Sequence, residues 1–172
     1  MSKPGKPHDL VSLARRAITA HLSGRPLLKE EISDYHEEPA GAFVSLKKEG
    51  QLRGCIGTIY PVQPTLAREI ADNAVSAATR DPRFLPITLE ELDDITISVD
   101  VLGKPEPAAG LEDLDASRYG VIVKSGGRKG VLLPDLPGVT TAEEQVRIAK
   151  QKAGIGERET VELLRFEVKR YY

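Results

Sequence analysis

The chain's single cysteine, Cys55, stands in the segment Leu52-Arg53-Gly54-Cys55-Ile56-Gly57-Thr58, two residues after an arginine and between two glycines. In a strand, residues two apart share a face, so Arg53 and Cys55 are expected to point together while Gly54 and Gly57 leave the backbone bare. A guanidinium beside a thiol favours the thiolate, the nucleophilic form, below the ordinary value of about 8.5, and uncovered backbone lets a ligand come close. Thr58 adds a hydroxyl. This makes Cys55 the candidate catalytic residue and Arg53, Gly54, Gly57 and Thr58 candidate ligand-binding residues. A second arrangement stays open, in which Cys55 is a small buried hydrophobe and the glycines serve a bulge or a helix packed on top.

Asp81-Pro82-Arg83-Phe84 puts an acid, a base and an aromatic at a rigid bend, which adds Asp81 and Arg83 as ligand-binding candidates able to clamp an anionic or planar group. The bland alternative is that Asp81 caps a helix and Arg83 simply pairs with it. A histidine base for Cys55 has to come from a distance, and His36, in the polar run Asp34-Tyr35-His36-Glu37-Glu38, is the nearest to fitting. His8, His21 and His36 are too far apart for a local ligand motif and paired cysteines are lacking, so no metal site and no cofactor is assigned. Gly126, Gly127 and Gly130 with Lys124, Arg128 and Lys129 resemble a phosphate cradle only in composition, because a strand rather than a helix follows.

The elements that must position these residues are legible from periodicity. Leu10 to Leu22 repeats apolar residues every three or four positions, with Asp9 as the expected cap and Gly24 as the stop. Ala42–Leu46 and Gln51–Ile59 flank Glu49-Gly50 and predict a hairpin whose second arm carries Cys55. Thr65 is expected to cap a helix with Leu66, Ile70, Ala74 and Ala78 inside, ended by Asp81-Pro82. Thr88 with Glu91 predicts a capped helical turn before the alternating strand Ile95 to Val101. Lys104 to Gly110 is the expected subdomain hinge within one domain spanning residues 1–172. Val121–Lys124 and Val131–Leu133 predict a second hairpin, Thr141 with Glu144 a last helix closed by Gly154, and Val161 to Val168 a final strand. Hairpins mixed with helices, without regular βαβ units, argue for α+β: a compact, mainly antiparallel sheet flanked by helices.

Length and composition agree. At 172 residues one good core is available, and 40% apolar against 29% charged residues is ordinary globular usage. A net charge of -2 gives no general attraction for a polyanion, so nucleic-acid binding would need a local basic patch. A lone thiol suits a reducing compartment, and the sequence shows neither a signal peptide nor an apolar run long enough to span a bilayer, which sets the expectation of a cytoplasmic protein.

The segment Leu52 to Thr58 resembles the hallmark of the AMMECR family, named after the AMME-syndrome chromosomal region. Ala42-Phe43-Val44-Ser45-Leu46, the alanine-rich helix ending near Asp81-Pro82-Arg83-Phe84, the Ile95 to Val101 strand, Tyr119-Gly120-Val121 and Gly130-Val131-Leu132-Leu133-Pro134 follow in the family's order. The likeness covers nearly everything from Leu10 to Phe166. It implies an α+β fold with two subdomains and the hallmark segment near a cleft. By analogy it also implies partnership with Memo-like and radical-SAM proteins. Relatives often carry an aromatic directly after the threonine, where this chain has Ile59 before Tyr60. The family supplies no assigned catalytic roles. Three functions compete: a small-ligand protein or enzyme component using Cys55 and Arg53, a noncatalytic adaptor for such partners, and, weakest for an acidic chain with 5% aromatic residues, a nucleic-acid binder through the Lys124 to Lys129 hairpin.

Overall fold

The structure is a computed structural model and describes residues 8–27, 32 and 38–172. The chain divides into two compact units, one running up to Leu102 and including Lys169–Tyr172, the other comprising Gly103–Val168. The expected α+β architecture is present, and the paired strands within each unit run antiparallel.

In the first unit, α1 (Asp9–Leu22) buries Leu10, Val11, Leu13, Ala14, Ala17, Ile18 and Ala20 along one stripe. Its cap is His8, whose Nδ1 accepts the Leu10 N–H at 3.2 Å, so Asp9 is the first helical residue rather than the cap. β1 (Ala42–Lys48) and β2 (Gln51–Thr58) join through Glu49 and Gly50, both at positive φ (50° and 77°). Two consecutive left-handed residues match the twist of a hairpin, which glycine at the second position makes easy. β3 (Ile95–Leu102) pairs with the other side of β1, giving the order β2-β1-β3 with β2 at the edge.

Alternation decides the faces. Ala42, Val44, Leu46, Ile97 and Val99 are at most 3% exposed and face α1 and α2 (Leu66–Thr79), forming the first core. Each such large side chain contributes about 1.5–3 kcal/mol on burial. The Thr65 hydroxyl caps α2 by accepting the Arg68 N–H, and the alanines of its inner stripe let the helix settle against β2. The closest approach is at Gly54, where a Cβ would lie 2.2 Å from the Ala77 carbonyl oxygen. After α2 the bend at Asp81 and Pro82 returns the chain, fixed by the Ile87 N–H donating to Ala78 O, into the short helix α3 (Leu89–Leu92) capped by Thr88.

In the second unit, the segment read as a hinge contains a short strand, β4 (Glu106–Ala108), paired with β7 (Glu162–Tyr171). β5 (Tyr119–Ser125) lies between β6 (Arg128–Leu132) and β7, and α4 (Ala142–Lys152), capped by Thr141, packs Val146 and Ala149 onto Val121, Val123 and Leu132. Among the described residues no helix is long and apolar enough to cross a membrane.

Candidate functional site

β2 divides the hallmark segment between two faces. Gly54, Ile56 and Thr58 stand opposite Leu46, Val44 and Ala42 and so share the core face, while Cys55 and Gly57 stand opposite Ser45 and Phe43 on the other. Ser98 and Asp100 of β3 continue that second face, opposite Ser45 and Phe43 in turn. The Cys55 Sγ lies 3.1 Å from the Ser45 Oγ, and the Phe43 ring covers Gly57 so closely that a Cβ there would sit 2.2 Å from it. Asp100, 3% exposed, accepts from Arg170 Nε at 2.7 Å and Nη2 at 3.0 Å.

The bend after α2 brings Asp81 and Arg83 to Cys55. The Cys55 N–H donates to Asp81 Oδ2 at 2.9 Å. The Arg83 side chain wraps the same carboxylate, with Nε 3.0 Å from Oδ1 and Nη2 2.7 Å from Oδ2, and the Arg83 N–H donates to Oδ1 at 3.1 Å. Arg83 Nη2 also leans toward the Cys55 carbonyl at 3.4 Å. The two partners differ in exposure: the Asp81 side chain is 2% exposed and that of Arg83 54%. Proline at position 82 makes this possible by fixing the chain direction between acid and base.

These contacts set the charges. Hydrogen bonds from Arg83 hold the Asp81 carboxyl well below the usual carboxylate range, against the opposing effect of its burial. Burial pushes the Cys55 thiol up, more than its Ser45 hydrogen bond and the Arg83 charge pull it down, while Asp100 and Asp81 add to the rise. Cys55 is therefore a neutral thiol at neutral pH, and the guanidinium that acts on it is Arg83, not Arg53.

Arg53 takes a different course. Strand pairing shifts between Leu46 and Lys47, and across this irregularity Arg53 turns to α3. Its Nε and Nη2 bind Glu91 at 2.8 and 3.0 Å and its Nη1 donates to Leu85 O at 2.8 Å, while Lys48 shares the same carboxylate at 3.5 Å. Thr58 points into the core, donating to Glu69 Oε1 at 2.5 Å and accepting from Asn73 Nδ2 at 3.2 Å. The second Glu69 oxygen accepts the Val62 and Gln63 N–H groups at 2.9 and 2.7 Å, and Asn73 also donates to Ala42 O. The structure thus joins Cys55, Gly57, Asp81 and Arg83, and places Arg53, Gly54 and Thr58 in separate packing and hydrogen-bond roles.

Sequence reasoning missed Ser45, Asp100, Arg170, Glu69, Asn73 and Glu91. Glu69 and Asn73 carried a signal, because both interrupt the apolar stripe of α2 at helical spacing, and buried polar groups are hydrogen-bonded. His36, Asp34 and Glu37 lie outside the described residues. Among the described residues no three His, Cys, Asp or Glu side chains gather as for a metal. At the glycine-rich hairpin tip, Arg128 is already committed to Glu159 and to Gly154 O.

A face bearing a pinned, exposed guanidinium beside a neutral thiol and two serines can bind an anion and donate hydrogen bonds to it. Three comparisons place the chain among known proteins. The AMMECR1 family model matches residues 11–171. A protein of Thermotoga maritima is 50% identical over 169 residues, covering 95% of this chain and 97% of that protein, and one of Clostridium acetobutylicum is 48% identical across 99% of this chain, which spans only 37% of that longer protein. The crystal structure of an uncharacterized protein from Pyrococcus horikoshii superposes with a TM-score of 0.85 at 32% identity, over 96% of this chain and 91% of that one. The chain belongs to the AMMECR1 family.

Proposed function

We propose that the protein binds a small polar anion on the sheet face in front of Cys55, with Arg83 as its anchor. The observation that carries this reading is the asymmetry of the Asp81–Arg83 pair. A buried carboxylate holds the guanidinium in place on one side, while the group stays 54% exposed and its Nη1 has no hydrogen-bond partner among the described residues. Preorganised guanidinium forks bind carboxylate and phosphate well because little freedom is lost on binding. In this reading Cys55 and Ser45 face the ligand as neutral hydrogen-bonding groups, with the Phe43 ring packed over Gly57 beside them. A reducing, cytoplasmic compartment suits the free thiol.

Titration of phosphate, acetate and citrate into isotopically labelled protein tests the reading. One of these anions should shift the amides of Cys55, Arg83 and Phe84 at millimolar concentration, and Arg83→Ala should abolish the shifts. If none of the three moves them, or if Arg83→Ala leaves them unchanged, the reading fails.

A second reading is that of an adaptor. Leu85 is 82% exposed, Leu52 40% and Leu89 39%, and the Arg53 contact with Leu85 O draws the first two to one edge. Such side chains suit the apolar centre of a protein interface. The family resemblance supports Memo-like or radical-SAM proteins as the partners, and titration with such a protein from the same genome, compared with Leu85→Ser, tests it.

A further inference from the structure

Within the first unit, on the side of the β2-β1-β3 sheet away from Cys55, a cavity of about 530 Å³ lies between α1 and the start of β3. That is the size of a small-molecule site, which typically spans about 300–1,000 Å³. Val11, Ile95 and Ile97 supply apolar walls, and Tyr172 also lines the cavity. Into this space α1 delivers Arg15. Its Nη1 donates to Leu92 O at 2.8 Å and its Nη2 to Ile95 O at 2.6 Å. Both partners are backbone carbonyls, so the guanidinium is fixed in position while its positive charge has no carboxylate against it among the described residues. Arg16 and Arg25 also line the cavity, and no acidic side chain does among the described residues.

A half-buried cation whose described partners are neutral carbonyls keeps its full positive charge, and an apolar wall beside it favours a ligand that brings both an anionic head and a hydrocarbon body. We infer that this cavity binds a small amphiphilic carboxylate, the head on Arg15 and the apolar body along Val11, Ile95 and Ile97. The site is independent of Arg83 and of the reading given above for Cys55. It uses a different face of the same sheet and a ligand of different polarity.

The test uses octanoate, octan-1-ol and acetate, each titrated into the full chain with methyl and amide resonances followed by NMR. Octanoate should shift the resonances of Val11, Ile95 and Ile97 and bind about tenfold or more tightly than either octan-1-ol, which lacks the charge, or acetate, which lacks the chain. Arg15→Met should lower octanoate to the affinity of the alcohol. Because Arg15 also ties down two carbonyls, Ser12→Trp, which fills the cavity from the α1 side, serves as a second variant and should abolish octanoate binding while the Tm holds. Arg83→Ala should leave octanoate binding unchanged, which separates this site from the anion site near Cys55. Equal affinity for alcohol and carboxylate, shifts elsewhere in the chain, or octanoate binding that survives Ser12→Trp would each overturn the inference.

Discussion

Replacing Asp81 by asparagine keeps the shape of the side chain and removes the charge that holds Arg83. The amide oxygen can still accept the Cys55 N–H, now at 2.9 Å, but the bonds to Arg83 Nε and Nη2 lose their ionic character, and an amide nitrogen meets donors where an oxygen stood. Hydrogen bonds to charged groups contribute about 1.5–3 kcal/mol each, and the 54% exposure of Arg83 discounts both, so the expected loss is about 2–3 kcal/mol. For a chain of this length that lowers Tm by about 4–12 °C. Urea unfolding at several pH values is the assay. The folded Asp81 carboxyl titrates below its unfolded value, so its contribution is fully present above the unfolded value and is lost as pH falls through the folded one. The gap between the native protein and Asp81→Asn should therefore be constant near neutrality and close progressively below about pH 4. A gap under about 0.5 kcal/mol at neutral pH, or one that persists unchanged into acid, would refute the claim that the carboxylate charge fixes Arg83.

Other variants report on other parts of the site. Gly54→Ala drives a methyl to 2.2 Å from the Ala77 carbonyl oxygen, a backbone atom that cannot swing away, and should cost at least about 2 kcal/mol in denaturant unfolding. Thr58→Val removes the donor to Glu69, which is 1% exposed, and should cost about 2 kcal/mol, whereas Thr58→Ser should recover most of it. Alkylation of Cys55 in the native protein should be slow at neutral pH, its inflection lying above that of the denatured protein; an inflection below would show an activated thiolate that the geometry does not provide.

Much of the fold was legible because the alternation of Ile95 to Val101, the stripe of α2 and the caps at Thr65, Thr88 and Thr141 are local signals, and each was met in the structure. The faces of β2 were legible only in part. Period two separates Cys55 and Gly57 from Gly54 and Thr58, but the pairing shift beside Leu46 sends Arg53 toward Glu91, and a bulge leaves no mark in the sequence of the strand it bends. The expected guanidinium beside the thiol exists, supplied by Arg83 from 28 positions further along, and that juxtaposition depends on how the bend after α2 folds back onto β2. Ser45 and Asp100 were invisible for the same reason, since cross-strand register is a tertiary fact. His8 displaced Asp9 as a cap because an imidazole nitrogen can accept an N–H as a carboxylate does.

The contact between Asp81 and Cys55 has a second consequence. β2 is an edge strand, and Cys55 turns its N–H and C=O outward, where a neighbouring strand would bind them. Asp81 takes the first group and Arg83 approaches the second, so two side chains imitate a strand that is not there and deny the place to another molecule. The pair that holds the proposed anion anchor thus also guards the sheet against self-association. A variant that removes the Asp81 carboxylate would leave the outward edge of the hallmark strand open to a second copy of the chain.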